Sequence, residues 1–429
     1  MNGPSVITST VSSEQPSPPS PPTHTGLRRL ASALTYRDFR VLWIGAFTSS
    51  IGTWMQKVAQ NWLVLTLASS SSAFYLGLDA FLGELPILLF MLVGGVIADR
   101  HDRRQLLLSS QAVQMVSALM LALLVFADRV EMWHVLTLSV VTGLGQAFGA
   151  PAYQSLLPSL VGDRRHLPNA IALNSIQFNL ARVVGPLVAG AALALFGMAV
   201  CFGLNALSFL AVMAALLMLR TRHVPVPSGR RMREEFGQGL SYVRHHPALV
   251  GLTFLGFATT FLANPLLTFL PLFTQDVFGG DVGLYTQLMA CAGGGAVTGA
   301  LVVAWLGQFP RMGRTLLVMQ FALGTLVTLF ALTEFFWLNA LLLFGAGVAL
   351  VMSFALLSSI VQLIAPDEMR GRVMSLYLVA FRGGMPLGSL MAGWVATRTS
   401  APGVLAVNGV LLAAVAATFL LTSDRLAEV

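Results

Sequence analysis

Residues 94–104 read Gly-Gly-Val-Ile-Ala-Asp-Arg-His-Asp-Arg-Arg and lie between two long apolar runs. The six positions from Asp99 to Arg104 hold two acids, three arginines and one histidine. Burying such a cluster in hydrocarbon is costly, so we expect it at a surface that faces water. The spans on either side can be counted from this segment, which we name the charged loop.

The overall composition is that of a membrane protein. Of the 429 residues, 56% are hydrophobic and 10% are charged, whereas soluble domains carry about 25% charged residues. The two cysteines, Cys201 and Cys291, and the scattered histidines have no spacing typical of a disulfide framework or a metal site. We therefore expect a polytopic membrane protein without a metal or another cofactor.

Apolar runs of helix length recur along the chain. Twelve of them are long enough to cross a bilayer core of about 30 Å at about 1.5 Å per residue. Their limits are 40–67, 74–98, 105–127, 133–157, 168–195, 199–219, 248–273, 283–306, 314–332, 335–361, 371–397 and 402–422. The predicted fold class is an all-α membrane protein with twelve transmembrane helices in two six-helix, pseudo-symmetric bundles.

Polar segments divide the chain into units. A proline- and serine-rich start predicts a disordered cytoplasmic tail, and a stretch rich in arginine predicts a linker between the sixth and seventh spans. The predicted units are a tail at 1–38, an N-terminal bundle at 39–219, a linker with a short amphipathic helix at 220–247, a C-terminal bundle at 248–422 and a second tail at 423–429.

The arginines predict the orientation. Twenty of them fall in segments on the same side of the membrane as the N-terminus, and two, Arg129 and Arg398, fall in loops on the opposite side. Because cytoplasmic loops carry the excess of basic residues, both termini and the charged loop are predicted to be cytoplasmic. The net charge of +7 is thus a topology signal, and we expect no nucleic-acid partner.

Short motifs recur between the two halves. They are Arg182-x-x-x-Pro186-Leu187 with Arg382-x-x-x-Pro386-Leu387, Gly143-x-Gly145 with Gly345-x-Gly347, and Arg100-x-Asp102-Arg103 with Arg311-x-Gly313-Arg314. Three echoes in corresponding spans indicate a duplicated six-span unit. This is the plan of secondary transporters whose site lies near the midplane between two repeats.

Two motifs carry a resemblance to a known family. The charged loop from Gly95 resembles the signature of the major facilitator superfamily, Gly-x-x-x-Asp-Arg-x-Gly-Arg-Arg, with Asp102 in place of the second glycine. Residues 181–190, Ala-Arg-Val-Val-Gly-Pro-Leu-Val-Ala-Gly, resemble the fifth-span signature of its antiporters, with alanine at two glycine positions. With the span count and the repeats, the resemblance covers residues 40–422.

A closer resemblance is to the branch that contains the enterobactin exporter and the transmembrane secretion effectors. It rests on Phe39-Arg-Val-Leu-Trp-Ile-Gly45, Gly52-Thr-Trp-Met-Gln56 and Ala170-Ile-Ala-Leu-Asn-Ser175. The resemblance implies proton-driven export of small molecules across a bacterial inner membrane. Many drug antiporters of the superfamily couple to protons through an Arg-x-x-Gln-Gly motif in span four, but residues 139–143 read Ser-Val-Val-Thr-Gly. Another group must therefore carry the proton.

Three charged residues inside the first two spans are candidates for proton coupling. A charge near the bilayer centre costs about 2.5–3.5 kcal/mol, so Lys57, Asp79 and Glu84 should face a cavity or a partner. We expect Lys57 to form an ion pair with Glu84 or Asp79. The hypothesis is that a proton and a cation compete for Glu84. A purely structural ion pair, or side chains that reach outward to the interface, is the alternative.

A substrate cavity is predicted where polar and aromatic side chains interrupt the apolar spans. Its candidate residues are Trp54, Gln56, Asn61, Trp62, Gln177, Asn179, Arg182 and Arg382. The repeat relation predicts that Arg182 and Arg382 face each other, either to bind an anionic substrate or to lock helices together. Gly185, Pro186 and Pro386 are candidate hinges, and tight packing is the alternative there.

The charged loop is a candidate cytoplasmic gate. Its predicted residues are Gly95, Asp99, Arg100, Asp102, Arg103 and Arg104. Asp99 can accept hydrogen bonds from the N-terminus of a neighbouring helix, and Arg103 and Arg104 can pair with Asp102 or Asp163. Such contacts would hold an outward-facing state and break on switching. The alternative is a positively charged membrane anchor without a gating role.

These features favour a transporter over an enzyme. The sequence has no Gly-x-x-x-x-Gly-Lys-Ser/Thr motif for ATP and no constellation of catalytic side chains at one membrane face. The leading hypothesis is a monomeric, proton-coupled exporter of drug-like compounds or a siderophore, with the substrate, protons and the bilayer as partners. A symporter that imports a small solute and a transporter-like sensor are the alternatives.

The charged loop gives a first prediction. Replacing Asp99 with asparagine should abolish transport, because the neutral amide weakens the predicted gate contacts, while membrane insertion stays unchanged. Efflux measured in cells at matched membrane levels checks this. Normal efflux by the variant would contradict a gating role.

Overall fold

The computed structural model describes residues 32–68, 71–220 and 232–422, and these residues form helices joined by short turns. Three 3₁₀ segments lie at Ser32–Thr35, Leu157–Leu160 and Arg164–His166. The α-helices are α1 Arg37–Leu67, α2 Ser72–Arg100, α3 Arg103–Phe126, α4 Met132–Leu156, α5 Leu167–Phe196, α6 Met198–Met218, α7 Met232–Arg244, α8 Pro247–Ala263, α9 Pro265–Asp276, α10 Val282–Leu306, α11 Met312–Leu332, α12 Phe336–Ile364, α13 Arg370–Ala396 and α14 Ala401–Thr422.

The predicted all-α membrane fold is confirmed. Within the described residues, 11 helical segments are long and apolar enough to cross a membrane. Helix α1 is not among them, since polar side chains such as Gln56, Lys57 and Gln60 lower its hydropathy. It is nevertheless 31 residues long and packs against α5 and α6, in the place predicted for the first span.

The predicted seventh span, 248–273, is divided. Helix α8 ends at Ala263 and α9 begins at Pro265. Proline has no backbone N–H and disrupts the preceding turn, which accounts for the break at Asn264. At this break, the Asn264 side chain donates a hydrogen bond to Ser389 Oγ on α13, at 3.1 Å.

The charged loop is shorter than the sequence suggested. Helix α2 continues through Gly94 to Arg100 and α3 begins at Arg103, so the turn contains only His101 and Asp102. Asp102 is the N-cap of α3, because its carboxylate accepts hydrogen bonds from the backbone N–H groups of Arg104 and Gln105. The tight turn follows from this cap.

Part of the predicted N-terminal tail is ordered. Residues 32–35 form a 3₁₀ turn, and α1 begins at Arg37. Ala33 is fully buried, and its N–H donates to Asn169 Oδ1 at 2.9 Å. The prediction of disorder was therefore wrong for residues 32–38. Residues 1–31 and the C-terminal tail at 423–429 lie outside the described part of the chain.

Helix α7 lies within the predicted linker and packs against α8 and α13. A Cβ on Gly239 would lie 2.9 Å from the Arg372 carbonyl oxygen, so the two backbones nearly touch. Residues 221–231 of the linker lie outside the described residues. The boundaries of two six-helix bundles stay a prediction. We refer to residues 32–220 as the N-terminal half and to residues 232–422 as the C-terminal half.

The two halves pack together at the end opposite the charged loop, which we name the closed end. The helix pairs α2–α13 and α5–α10 join them. Near the start of α2, Gly77 lies against the Ser389 carbonyl, and a Cβ on Gly393 would lie 2.6 Å from the Ala73 carbonyl oxygen. Small residues thus bring α2 and α13 into backbone contact there.

Towards the charged loop, α2 carries exposed apolar side chains. On α2, Leu88 still reaches Gly383 of α13, but Leu89, Phe90 and Val93 beyond it are exposed. We name this end of the molecule the open end. If the charged loop is cytoplasmic, as the arginines predict, the open end lies on the cytoplasmic side.

The close contact at Gly77 gives a second prediction. Replacing Gly77 with valine should force the closed end apart, because overpacking costs about 1–3 kcal/mol. A cysteine at the buried Ala73, in a variant without Cys201 and Cys291, should then react with a water-soluble thiol reagent about tenfold faster. The matched control is Gly83→Val on the same helix, where a Cβ meets nothing within 4 Å. Equal reaction rates in the two variants would contradict the assignment of the closed end.

Candidate functional site

Glu84 and Arg382 form an ion pair between the two halves. Arg382 Nη1 on α13 lies 3.5 Å from Glu84 Oε2 on α2, and both side chains are partly exposed. Among the described residues, this is the one ion pair that joins the halves. It lies about two helical turns from Gly77, between the closed end and the exposed stretch that begins at Leu89.

Asp79 is held inside the N-terminal half. It is 6% exposed, and its two oxygens accept hydrogen bonds from Gln60 Nε2, each at 3.0 Å. Ser139 Oγ on α4 donates a further short hydrogen bond to the same carboxylate. Asp79 thus ties together α1, α2 and α4 through neutral donors. The sequence analysis missed Ser139, which is a lone serine in an apolar run.

Lys57 and Arg182 lie over the same aromatic ring. Lys57 Nζ is 5.6 Å from the centroid of the Trp54 ring, and Arg182 Cζ is 5.2 Å from it. Both distances are within the range of cation–π attraction. In the part of the chain that the structure describes, neither cation forms an ion pair with a carboxylate. We refer to Lys57, Arg182 and Trp54 as the cation cluster.

The predicted ion pair of Lys57 with Glu84 or Asp79 was therefore wrong, whereas the prediction that Arg182 and Arg382 face each other stays a prediction. Lys57 pairs with neither Glu84 nor Asp79, because Arg382 holds the first carboxylate and neutral donors hold the second. The repeat-related arginines also differ, since Arg182 lies over Trp54 while Arg382 binds an acid. The sequence relation gave their equivalent positions in the helices, but not their different partners.

Asn61 and Trp62 contact the C-terminal half. Asn61 Nδ2 donates to the Tyr285 hydroxyl on α10 at 3.2 Å. The Trp62 ring stacks on Tyr285 with centroids 6.0 Å apart. Tyr285 is fully buried and was not among the predicted residues. These contacts place one face of α1 opposite the C-terminal half, one turn beyond Lys57.

The other predicted polar residues have partners within the N-terminal half. Gln56 accepts a hydrogen bond from Asn205 at 2.6 Å, and Gln177 donates to Ser50 Oγ at 2.9 Å. Asn179 donates to the Ser175 carbonyl of its own helix. The first two bonds brace α1 against α6 and α5. A role for the three side chains in binding a substrate stays a prediction.

The candidate hinges lie in continuous helices. Pro186 and Pro386 are inside α5 and α13, and both are buried. Gly185 lies directly against the Trp54 Cβ, so no larger side chain fits there without movement. The observed geometry at Gly185 is close packing that positions the Trp54 ring. Hinge motion at these three residues stays a prediction.

The charged loop is bound to the N-terminal half. Arg103 donates to the Ser155 carbonyl on α4 at 2.8 Å, and Arg104 donates to the Leu217 carbonyl on α6 at 2.7 Å. Cations are favourable at such helix C-termini. The predicted pairing of Arg104 with Asp102 or Asp163 was wrong. Asp102 caps α3, and Asp163 forms an ion pair with Arg165.

The other predicted gate residues contribute less. Arg100 is exposed, and a Cβ on Gly95 would meet nothing within 4 Å. The Asp99 side chain lies outside the described residues. A gating role for the charged loop therefore stays a prediction.

The chain is similar to known membrane transporters. A family model described as transmembrane secretion effector matches residues 30–428. Multidrug efflux pump Tap of Mycolicibacterium fortuitum is 28% identical over 359 residues, which cover 81% of this chain and 86% of Tap. Enterobactin exporter EntS of Shigella boydii is 25% identical over 395 residues, which cover 90% of this chain and 93% of EntS.

Solved structures show the same fold. A bacterial homologue of the human lysosomal transporter Spinster, in an inward-facing and unoccupied conformation, has a TM-score of 0.65 at 17% identity, covering 93% of this chain and 98% of that chain. A D-xylose–proton symporter has a TM-score of 0.70 at 14% identity, covering 90% and 98%.

The hydrogen bonds of Asp79 with Gln60 and Ser139 give a third prediction. Replacing Ser139 with alanine removes a donor from a buried carboxylate and should cost about 1–3 kcal/mol of folding free energy. Thermal unfolding of the purified protein should show a clearly lower midpoint. The matched control is Ser353→Ala, since Ser353 is also buried but, among the described residues, donates to the Ala349 carbonyl of its own helix. Equal midpoints for the two variants would contradict a special role for Ser139.

Proposed function

The chain belongs to the transmembrane secretion effector family of the major facilitator superfamily, and on this premise we propose that it exports small amphipathic molecules in exchange for protons. It spans the membrane many times, and we place it in the bacterial cytoplasmic membrane as a monomer with both termini in the cytoplasm. Relatives are named for the export of enterobactin and the efflux of macrolides and multiple drugs. We propose transport of this kind, without catalysis, for this chain.

The ion pair between Glu84 and Arg382 is the observation that supports the proposal most strongly. A carboxylate within the membrane can carry a proton, and a proton competes with the guanidinium for it. Because the two residues belong to different halves, protonation of Glu84 removes an attraction that holds the halves together. The cation that competes with the proton for Glu84 is therefore Arg382. The sequence had suggested Lys57 for this role.

Other charged side chains lie inside the spans of the N-terminal half. Lys57 on α1 and Arg182 on α5 are cations, and Asp79 is another acid on α2. Asp79 accepts hydrogen bonds from Gln60 and Ser139, both in its own half. Protonation of Asp79 therefore leaves the contact between the halves intact, whereas protonation of Glu84 changes it directly.

The packing suggests how protonation could drive alternating access. In the described conformation the closed end is packed, and we infer that the open end admits solvent and solute. Loss of the ion pair would leave the closed end to its glycine contacts and to the contacts of Tyr285. Once the pair is broken, the halves can rock about it, so that the closed end opens and the open end closes. For exchange, Glu84 takes up its proton while it faces away from the cytoplasm and releases that proton to the cytoplasm as the pair with Arg382 re-forms. The substrate moves out of the cytoplasm on the protein without that proton.

A fourth prediction concerns Glu84→Gln. Glutamine cannot release a proton at this position, so uptake into inverted vesicles under an imposed pH gradient should fall at least about tenfold. Macrolides, dyes and siderophores serve as test compounds. The control is Glu334→Gln, which changes an exposed acid between α11 and α12 and should transport normally.

Several results would count against this proposal. An unaltered dependence on the pH gradient in Glu84→Gln would remove Glu84 from the mechanism. Accumulation in vesicles of the opposite orientation would favour an importing symporter. No transport of any compound by the wild-type protein would favour a sensor.

A further inference from the structure

Two members of the cation cluster, Trp54 and Lys57, lie on the face of α1 that is directed towards the C-terminal half. Trp54, Lys57 and Asn61 follow one another at spacings of three and four residues, so they share one side of the helix. Asn61 touches Tyr285 of the C-terminal half. Lys57 is exposed, one turn from that contact and on its open side.

Arg182 reaches the same space from α5. It lines a cavity whose other walls are apolar and come from the C-terminal half, among them Ala263, Met289 and Leu343. Its guanidinium also lies over Trp54, and Trp54 makes an edge contact with Phe178, with ring centroids 6.2 Å apart. Two cations, an indole ring and an apolar wall are therefore adjacent.

The positive charge of this cluster is only partly balanced. Glu84 is engaged by Arg382, and Asp79 is buried among neutral donors. In the described part of the chain, Arg182 has no acidic partner. Two cations inside the membrane are costly unless water or an anion compensates them.

Resting on the proposed export function, we propose that the cation cluster binds the acidic group of the substrate, and that the substrates are amphipathic organic anions. A carboxylate or phenolate would lie between the Lys57 ammonium and the Arg182 guanidinium. The guanidinium offers a planar pair of donors and the ammonium offers a point charge. An aromatic or aliphatic body would then pack on Trp54 and the apolar cavity wall.

The test compares two dyes that share a xanthene ring system but differ in charge. Purified protein in liposomes with an imposed pH gradient should transport anionic carboxyfluorescein in preference to cationic rhodamine 6G. Lys57→Gln and Arg182→Gln should each lower carboxyfluorescein transport at least about tenfold, the effect expected for loss of a charged hydrogen bond. Lys57→Arg should retain most of it.

Arg398→Gln is the matched control. Arg398 also lies over an indole, with its Cζ 3.7 Å from the Trp394 ring centroid, but it follows the end of α13 and is exposed. Its loss should leave carboxyfluorescein transport unchanged. An equal loss in Arg398→Gln and Lys57→Gln would overturn the assignment of the cluster as a binding site.

Binding separates this inference from the export function on which it rests. Carboxyfluorescein binding is measured by fluorescence polarisation in detergent, on variants that elute as single species. Binding that the glutamine variants lose, without transport by the wild type, supports the anion site and contradicts the export function. Transport of rhodamine 6G but not carboxyfluorescein overturns the anion site and leaves export standing. Absence of carboxyfluorescein binding also overturns the anion site.

Discussion

A charge inside a membrane needs a partner, and this constraint explains the arrangement of the polar side chains. Each unpaired charge would cost about 2.5–3.5 kcal/mol in the bilayer centre. Asp79 satisfies the requirement with neutral donors inside one half. Glu84 satisfies it with Arg382 from the other half. The first solution stabilises a helix bundle, whereas the second makes the contact between the halves depend on a charge.

Several other contacts between the halves are neutral. Small residues such as Gly77 and Gly393 allow backbone contact at the closed end, and Tyr285 adds a hydrogen bond and a stacked ring. None of these contacts responds to protons in the physiological range. We therefore propose that a proton gradient acts on this interface through the ion pair, and that the cation cluster offers charge to a solute.

The sequence predicted the helices well and their partners poorly. Hydropathy located the spans, and the repeated motifs placed Arg182 and Arg382 at equivalent positions. Which charged side chains pair depends on which helices are in contact, and no local sequence pattern predicts that α2 packs against α13. For the same reason the sequence suggested an acidic partner for Lys57, whereas in the described part of the chain Lys57 lies over Trp54 without an ion pair. The break at Asn264 was missed because apolar periodicity continues across it, although Pro265 carried the signal.

The most direct measurement is the distance between the halves at the open end as a function of pH. Spin labels at the exposed positions Leu89 and Leu378, in a variant without Cys201 and Cys291, report it. If the Glu84–Arg382 pair controls the packing, acidification shifts the wild-type distances to shorter values, and Glu84→Gln gives the shorter distances at every pH. The same pH dependence in Glu84→Gln as in the wild type would contradict the account.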